Sequence, residues 1–267
     1  MQVMKKNIFD SSQIWNWVDS NSDNKVRFEF TEKLTPADVT SILDIGCGHG
    51  GFLKLILEKR KNIRCVGVDN SDGALEYIPF EKAKASITSV PYADKEFDCV
   101  CALEVLEHLN PEEFNKARDE MVRLSKKYII VSVPYNEDIE WNMVKCPSCH
   151  TMFHYDGHLQ VFNEEKMSSL FTDRGFECVE QSRLGWSEHF KFHKSYVKLF
   201  YPHLMHKAPH YTVCPACNTE LNPPAQSNAI AATVNKPSVT AFVKKGIKAL
   251  WPKEKKSYWI IGLYKKQ

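Results

Sequence analysis

The sequence lacks any apolar run that could cross a bilayer, since spanning a membrane as a helix takes about 20 apolar residues. The amino terminus carries Lys5 and Lys6, but the apolar segment that would complete a secretory signal does not follow them. We therefore expect a cytoplasmic protein without a membrane span.

An excess of charge of one sign is also missing. The chain has 35 Lys and Arg against 33 Asp and Glu, a formal net charge of +2. Partners such as nucleic acid or an acidic membrane usually require a larger basic excess, so the balance disfavours them but leaves room for a local basic patch. With 267 residues, 43% hydrophobic and 25% charged, the chain can form one full α/β domain and an additional segment.

Apolar runs and amphipathic stretches alternate from residue 41 to about residue 183, which is typical of consecutive βαβ units. The runs predict strands at 41–45, 64–69, 97–103, 128–133 and 176–181, and helices at 51–60, 73–77, 111–126 and 163–174. The last apolar segment, 257–266, predicts a strand that closes the sheet beside 176–181.

This pattern predicts four segments along the chain. They are a helical cap at 1–37, a core at 38–183 with a cysteine-bearing loop at 134–160, an insertion at 184–256, and the closing strand at 257–267. Within the insertion, 221–238 is a polar, proline-bearing linker, and 239–251 predicts a short helix that packs on the core.

A glycine-rich turn, LDIGCGHGGF at 43–52, joins a buried strand to a helix. Glycines allow the backbone to approach a ligand closely, and the start of the helix offers free N–H groups. Asp69 ends the second strand about twenty residues later, where a carboxylate can accept hydrogen bonds from both hydroxyls of a ribose. The dinucleotide spacing GxGxxG is absent, and Asp44, directly before the turn, can face an ammonium group.

At these residues the chain resembles the class I S-adenosylmethionine-dependent methyltransferases, whose hallmark hhDhGCGxG is matched up to Gly50. The stretch SVPYADKEFDCVCALEVLEHL at 89–109 is similar to the family's LPFxDxxFDxVxxxxVLEHL. The resemblance implies an α/β fold of the Rossmann-like class, with a doubly wound, mostly parallel seven-stranded sheet and an antiparallel closing strand. It also implies S-adenosylmethionine as the cofactor, bound by Asp44, Gly46, Cys47, Gly48, Asp69, Asn70, Ser86, Ile87 and Glu104. Many relatives have an aspartate near Ser86, so serine here leaves adenine recognition to backbone groups.

The string EVLEHL at 104–109 permits two interpretations. On a helical turn Glu104, Glu107 and His108 would share one face and could hold a divalent ion such as magnesium. Some relatives use such an ExxEH set for magnesium, including quinone-precursor O-methyltransferases and small-RNA 2′-O-methyltransferases. In other methyltransferases with this string, the first glutamate lies near the cofactor and the histidine closes the pocket.

Nine cysteines, an odd number, do not suit a secreted disulfide framework. Four of them form two CPxC units, Cys146 with Cys149 and Cys214 with Cys217. Two such units together supply the four thiolates of the tetrahedral site that zinc prefers, so we expect one structural zinc in a small insertion. A redox dithiol is the alternative, but it usually lies at a helix start in a thioredoxin-like context that the sequence lacks.

Candidate bases come from the histidines. The segment GHLQVF at 157–162 is similar to a segment of many relatives whose histidine faces the pocket, so His158 is the first candidate for a general base and His108 the second. His158 could instead orient its loop. A further group, His189, His193, His203, His206 and His210, is expected to be part of the insertion's structure.

The resemblance favours O-methylation of a small-molecule or glycan hydroxyl, because similar methyltransferases with a CPxC insert before GHL are often associated with glycan pathways. RNA 2′-O-methylation with a Glu/Glu/His metal site is the second hypothesis, and it predicts salt-sensitive binding of RNA. The third is a non-catalytic protein that recruits a partner through its zinc insert. The intact Asp44, GCG and Asp69 argue against this last one.

Overall fold

The computed structural model describes residues 22–190, 199, 208, 211–222 and 253–267. Most of the predicted linker at 221–238, the predicted helix at 239–251, and His193, His203, His206 and His210 lie outside the described residues. Of the predicted cap, the structure describes the part from residue 22 onwards. In the described part of the chain, no helix is both long and apolar enough to span a bilayer.

Eleven strands are described, in chain order β1 (Ser41–Ile45), β2 (Arg64–Asp69), β3 (Glu81–Lys84), β4 (Phe97–Leu103), β5 (Ser125–Pro134), β6 (Met143–Lys145), β7 (Met152–His154), β8 (Phe176–Phe190), β9 (Thr212–Val213), β10 (Glu220–Leu221) and β11 (Lys253–Lys266). The α-helices among the described residues are α1 (Ser22–Leu34), α2 (Gly51–Lys59), α3 (Asp72–Leu75), α4 (Pro111–Leu124) and α5 (Glu164–Ser168). Single 3₁₀ turns occur at Leu106–His108 and Thr172–Arg174.

Seven strands form one sheet in the order β3-β2-β1-β4-β5-β11-β8. Strands β1 to β5 pair in parallel, and β11 lies between β5 and β8, antiparallel to both. This is the predicted doubly wound, mostly parallel sheet with an antiparallel closing strand, which is therefore confirmed. The order reverses at β1 and β4, and a ligand crevice forms at such a point outside the carboxyl ends of the strands.

Helices cover both faces of the sheet. Successive residues of a strand point to opposite sides, so each strand packs against the helices on both faces. Leu43 and Val100 pack in one layer with residues of α4, whereas Ile42 and Cys99 pack in the other with residues of α1 and α2. Strand β4 is buried at every position, as expected for a central strand of a parallel sheet.

Several predicted elements differ in the structure. The predicted continuous helix at 163–174 was wrong: α5 is short, because the hydroxyls of Ser168 and Ser169 hydrogen-bond to the carbonyl of Glu165, and a 3₁₀ turn follows. Strands β8 and β11 are longer than predicted, and they pair with each other as far as Phe190 and Lys253. Strand β3 was not predicted, because its sequence EKAK lacks the apolar residues that mark a strand.

Asp98 joins the first residues of β4 to the start of β1. Its Oδ2 accepts hydrogen bonds from the backbone N (2.9 Å) and the hydroxyl (2.7 Å) of Thr40, and Lys127 Nζ lies 3.5 Å from Oδ1. Burial raises the pKa of the Asp98 carboxyl, but the hydrogen bonds from Thr40 and the nearby lysines outweigh it, and the net shift is downward.

We predict that Asp98→Asn lowers the free energy of unfolding by about 2 kcal/mol at pH 7, because two charge-assisted hydrogen bonds are weakened. The contribution is complete above the unfolded pKa of about 3.9 and is lost as the pH falls through the lower folded pKa. Urea denaturation at pH 7 and at lower pH measures both effects. Asp119→Asn, which removes an exposed ion pair with Arg174, is the control and should change stability by less than about 0.5 kcal/mol. Equal stability of the two variants would contradict this role of Asp98.

Candidate functional site

The glycine-rich turn is fixed at the carboxyl edge of the sheet. The backbone N–H groups of Gly46 and Cys47 donate to the carbonyl of Val68 on β2, at 2.7 and 3.0 Å. Gly46 has a φ of 73°, and a Cβ atom there would lie 2.4 Å from Cγ2 of Val105. Both the backbone conformation and the contact therefore require glycine, and they pack the turn against the segment that follows β4.

Asp69 holds this turn from the end of β2. Its Oδ2 accepts from the backbone N of Gly48 (2.9 Å), and its Oδ1 accepts from the backbone N of Ser71 (2.9 Å). Each carboxylate oxygen has a second lone pair, so these bonds orient Asp69 and still allow it to accept from ribose hydroxyls. Asn70 follows it and is exposed.

The predicted adenine segment lies next to Asp69, whose carbonyl accepts from the backbone N of Ala85 (3.0 Å). Ile87 is buried in the apolar core. Ser86 is exposed, and its hydroxyl is 2.9 Å from that of Thr88. The side-chain oxygen of Ser86 is therefore bound locally, which fits adenine recognition by backbone groups.

Asp44 is the buried carboxylate at the base of the turn. It is 2% exposed, and its Oδ1 has no hydrogen-bond partner among the described residues. Burial raises the pKa of Asp44 to about 8, although the nearby Arg27 lowers it. A buried acceptor without a donor suits a bound ammonium group, such as that of the methionine part of the cofactor. The residues present thus fit S-adenosylmethionine.

Glu104 is held in a strained backbone conformation directly after β4, with a φ of 63°. Its carboxylate accepts from Trp259 Nε1 (2.8 Å) and the hydroxyl of Ser132 (3.2 Å), and Arg27 Nη1 lies 3.8 Å from Oε1. These contacts fix the Glu104 carboxylate at the end of β4, and its contact with the cofactor stays a prediction.

Arg27 brings a buried cation from α1 to this edge. It is 5% exposed, and its Nη1 donates to the Ser132 hydroxyl (3.1 Å). The role of Arg27 was not predicted, because the region was expected only to be a helical cap. Arg27, Thr31 and Leu34 are all buried and lie at i, i+4 and i+7 on one face of the helix, but two of the three are polar, so the sequence shows no apolar stripe there.

The predicted face of Glu104, Glu107 and His108 does not form as expected, because only Leu106–His108 makes a 3₁₀ turn and Glu104 precedes it. Instead, donor atoms of Glu107, His108 and His158 all lie within 4.8 Å of one another. The magnesium interpretation of the string stays a prediction.

Burial sets the protonation states in this cluster. Glu107 is fully buried, and neither carboxylate oxygen has a hydrogen-bond partner among the described residues. Burial, reinforced by Glu104, raises the pKa of Glu107 well above its usual range. Burial and then the adjacent His158 lower the pKa of His108 to about 3. Burial therefore favours the uncharged form of both side chains, and the low pKa makes His108 a weak base.

His158 is placed beside Glu107 and His108 by its own loop. The backbone N–H groups of Leu159 and Gln160 donate to the carbonyl of Glu107, at 2.7 and 3.1 Å, and the His108 and His158 rings are 4.7 Å apart. Because Glu107 follows the segment that packs on Gly46, His158 lies at the same edge as the predicted cofactor residues.

A carboxylate that sequence analysis missed, Glu137, binds His158. Its Oε2 lies 2.5 Å from His158 Nδ1, and its Oε1 lies 3.2 Å from His154 Nε2. Burial alone would raise the pKa of Glu137, but the two imidazoles lower it, whereas Glu137 raises the pKa of His158 above its usual value despite burial. No motif distinguishes Glu137 from the nearby Asp138 and Glu140, so the sequence offered no signal for it.

The four cysteines of the CPxC units meet although 64 residues separate the units. Cys146 Sγ is 3.6 Å from Cys217 Sγ, and Cys149 Sγ is 3.6 Å from Cys214 Sγ. All four sulfurs lie within 4.8 Å of one another. In a tetrahedral site with Zn–S bonds of about 2.3 Å, the sulfurs are about 3.8 Å apart, so the observed spacing suits that ion.

The two thiol knuckles, at 146–151 and 214–219, have the same backbone design. In each, the N–H of the first cysteine donates to the carbonyl five residues later (2.9 Å), and its carbonyl accepts from the N–H four residues later. The residues at that fourth position, His150 and Asn218, both have positive φ, 61° and 59°. Strands β6 with β7, and β9 with β10, carry the knuckles as antiparallel hairpins.

Comparison with known proteins gives a family and a set of relatives. The profile of a family described as "Methyltransferase domain" matches residues 19–181. An (S)-tetrahydroprotoberberine N-methyltransferase of Eschscholzia californica is 33% identical over 89 residues, 30% of this chain and 25% of that protein. An uncharacterized protein of Methanocaldococcus jannaschii is 34% identical over 100 residues, 36% of this chain and 41% of the other. The matched region thus spans about a quarter of the length of the plant relative.

Solved structures share the fold. A SAM-dependent methyltransferase of Archaeoglobus fulgidus has a TM-score of 0.55 and 17% identity, covering 96% of this chain and 100% of that one. A SAM-dependent methyltransferase of Thermotoga maritima, described as a possible histamine N-methyltransferase, has a TM-score of 0.53 and 16% identity, covering 96% and 95%.

We predict that Asp44→Asn weakens binding of S-adenosylmethionine about 10- to 150-fold, because a bound ammonium would favour the ionised form of Asp44 and the variant cannot supply that charged acceptor. The stability of the cofactor-free protein should not fall, because a neutral amide replaces a carboxyl that is largely protonated at pH 7. Isothermal titration calorimetry measures the affinity, and thermal unfolding measures the stability.

The control for this prediction is Asp72→Asn on the exposed first turn of α3, where Asp72 pairs with Lys84. Its affinity for S-adenosylmethionine should match that of the wild type. Unchanged affinity of the Asp44 variant would remove Asp44 from the cofactor site.

Proposed function

The chain belongs to the methyltransferase-domain family and has the fold of the class I S-adenosylmethionine-dependent methyltransferases, and we propose that it transfers the cofactor's methyl group to a hydroxyl of a small-molecule or glycan acceptor. The observation that carries this proposal is His158, a buried imidazole paired with Glu137 and placed beside the predicted cofactor edge. A hydroxyl must lose its proton when it is methylated, and a positioned imidazole is suited to accept it.

The chemistry divides between cofactor and chain. S-adenosylmethionine, when bound, supplies a methyl group on a positively charged sulfur. The chain aligns the acceptor oxygen with that methyl group, and His158 takes the hydroxyl proton as the oxygen–carbon bond forms and the carbon–sulfur bond breaks. His108 is the weaker candidate for this step, because its low pKa leaves it little affinity for a proton.

Amine acceptors are the competing class, because plant relatives in the comparison are named N-methyltransferases. A free, neutral amine attacks through its lone pair and needs no base for that step. The methylated product can lose its extra proton to water. The presence of a buried, carboxylate-paired histidine therefore supports the hydroxyl acceptor over the amine. RNA remains the alternative acceptor if methylation depends on a divalent ion at Glu107 and its neighbours.

We also propose that the two thiol knuckles bind one structural zinc ion through Cys146, Cys149, Cys214 and Cys217. The spacing of the sulfurs and the matching backbone turns support this assignment. Its role would be to tie two hairpins of only two or three residues per strand, which cannot be stable on their own.

A probe panel tests the acceptor. The protein is incubated with S-adenosylmethionine and methyl α-glucoside, methyl α-rhamnoside or catechol as hydroxyl probes, histamine or benzylamine as amine probes, and a short RNA with and without Mg²⁺. We expect S-adenosylhomocysteine to form with a hydroxyl probe. Turnover confined to the amines would overturn the proposal, and Mg²⁺-dependent methylation of RNA would support the second hypothesis.

For the accepted probe, His158→Asn should lower kcat about 10²- to 10⁴-fold, the usual contribution of a general base. The affinity for S-adenosylmethionine should stay within about twofold, because His158 is not predicted to contact the cofactor. His150→Asn, at an exposed histidine of the first knuckle, is the matched control and should keep wild-type kcat. Equal kcat in both variants would remove His158 as the base.

For the metal, native mass spectrometry should find one zinc ion per chain in the wild type. Cys149→Ser and Cys214→Ser should lose it, because three thiolates bind zinc more weakly than four. Cys178→Ser changes a cysteine of β8 outside the knuckles and should retain the ion. A wild-type protein free of zinc, purified without chelator, would contradict the assignment.

A further inference from the structure

Glu137, His154 and Asn142 form a partly buried polar network around His158. Glu137 Oε1 accepts from Asn142 Nδ2 (2.7 Å) and lies 3.2 Å from His154 Nε2, while Oε2 lies 2.5 Å from His158 Nδ1. Both oxygens of Glu137 thus face donor groups. An ionised carboxylate can only accept hydrogen bonds, so the group facing each oxygen must bring the proton.

The tautomer of His154 follows from its second nitrogen. His154 Nδ1 accepts from the backbone N–H groups of Asp156 and His158, both at 3.2 Å. A nitrogen that accepts cannot carry a proton, so the proton of a neutral His154 is on Nε2, the atom near Glu137. His154 thus accepts a hydrogen bond from the backbone N–H of His158. Its Nε2 lies 3.2 Å from the carboxylate that binds His158 and makes no hydrogen bond among the described residues.

The tautomer of His158 is fixed in the same way. Its Nδ1 must carry a proton to donate to Glu137, so the neutral ring keeps its lone pair on Nε2. Since Nδ1 is engaged by Glu137, Nε2 is the nitrogen left to accept a proton, and a ring nitrogen of His158 lies within 4.8 Å of donor atoms of Glu107 and His108. Without Glu137, either nitrogen could carry the proton, and part of the population would lack a base at Nε2.

The hairpin of the first thiol knuckle carries this arrangement. His154 is the last residue of β7, and the backbone N of Tyr155, the next residue, donates to the carbonyl of Asn142 (3.2 Å) just before β6. Thr212 on β9 of the second hairpin donates through its hydroxyl to the carbonyl of Tyr155 (2.6 Å). Both hairpins therefore contact the residues that surround His158.

We propose that Glu137 and His154 are positioning residues that hold His158 in its Nδ1–H tautomer and present Nε2 to the methyl acceptor. This inference rests on the proposed function, because it assumes that His158 is the base of the transfer. It extends that function by assigning the knuckle-bearing segment 134–160 a part in catalysis as well as in structure.

The test reads the tautomer directly, without an acceptor. The full-length protein is labelled with ¹⁵N-histidine, and long-range ¹H–¹⁵N spectra are recorded with S-adenosylhomocysteine bound. The His158 signals are assigned by their loss in His158→Asn. In the wild type we expect one His158 species with the proton on Nδ1. In Glu137→Gln, whose amide can donate as well as accept, we expect a mixture or the Nε2–H form.

His154→Ala tests the second contact and should also loosen the tautomer preference of His158. Glu140→Gln, an exposed acidic residue of the same segment, is the matched control and should leave the wild-type spectrum unchanged. Circular dichroism and cofactor titration check that each variant is folded, and the Glu137→Gln affinity for S-adenosylhomocysteine should stay within twofold.

The failure of the two proposals can be told apart. An Nδ1–H signal that persists in folded Glu137→Gln, or an Nε2–H form in the wild type, would overturn the positioning role even if His158→Asn is inactive. Conversely, wild-type turnover in His158→Asn would overturn the proposed base, whatever tautomer the spectra show. Where His158 is the base, Glu137→Gln should lower kcat at least tenfold with little change in KM for the cofactor.

Discussion

The placement of four carboxylates in and around the site, two of them buried and two partly buried, is the constraint on which the site depends. Such a carboxylate is costly unless it is paired, hydrogen-bonded or protonated. Glu104 lies near Arg27, Glu137 faces two imidazoles, and burial favours the uncharged form of Glu107. Burial also raises the pKa of Asp44, which keeps an oxygen without a donor among the described residues, and a positively charged ligand there would favour its ionised form.

This distribution separates two regions with different chemistry. On the side of the glycine turn, Asp44 and Glu104 favour a cation, as the sulfonium and ammonium groups of the cofactor require. On the side of Glu137, a proton gained by neutral His158 would be matched by the Glu137 carboxylate, so that region can take up a proton without a net excess of charge. A methyl transfer that removes positive charge from the cofactor and places a proton on a histidine fits such a layout.

The core was predictable from the sequence because its signals are local. The bounds of β1, β2 and β4 agree with the predicted strands, since a buried parallel strand is a continuous apolar run. The turn at Gly46 was predictable because few residues other than glycine adopt its positive φ. The short hairpins were not, because strands of two or three residues leave no periodicity to detect.

The site was only partly predictable, because its remaining parts depend on long-range contacts. The convergence of the four cysteines was anticipated from spacing alone. Arg27 and Glu137, by contrast, acquire their roles from residues more than fifteen positions away, such as Glu104 and His158. Glu104 was placed on a helical face with Glu107 because the string repeats at i and i+3, but its positive φ takes it out of that turn.

The position of β11 has a consequence for how the chain assembles. It follows all the other described strands in the chain, yet it lies between β5 and β8. Strand β8 cannot reach its final partner until β11 has arrived, so during synthesis both β5 and β8 present unpaired edges. The second thiol knuckle precedes β11 in the chain. The two hairpins can thus join while the sheet is still open, and such a link would keep the nascent segments near each other and shield them from pairing with other chains.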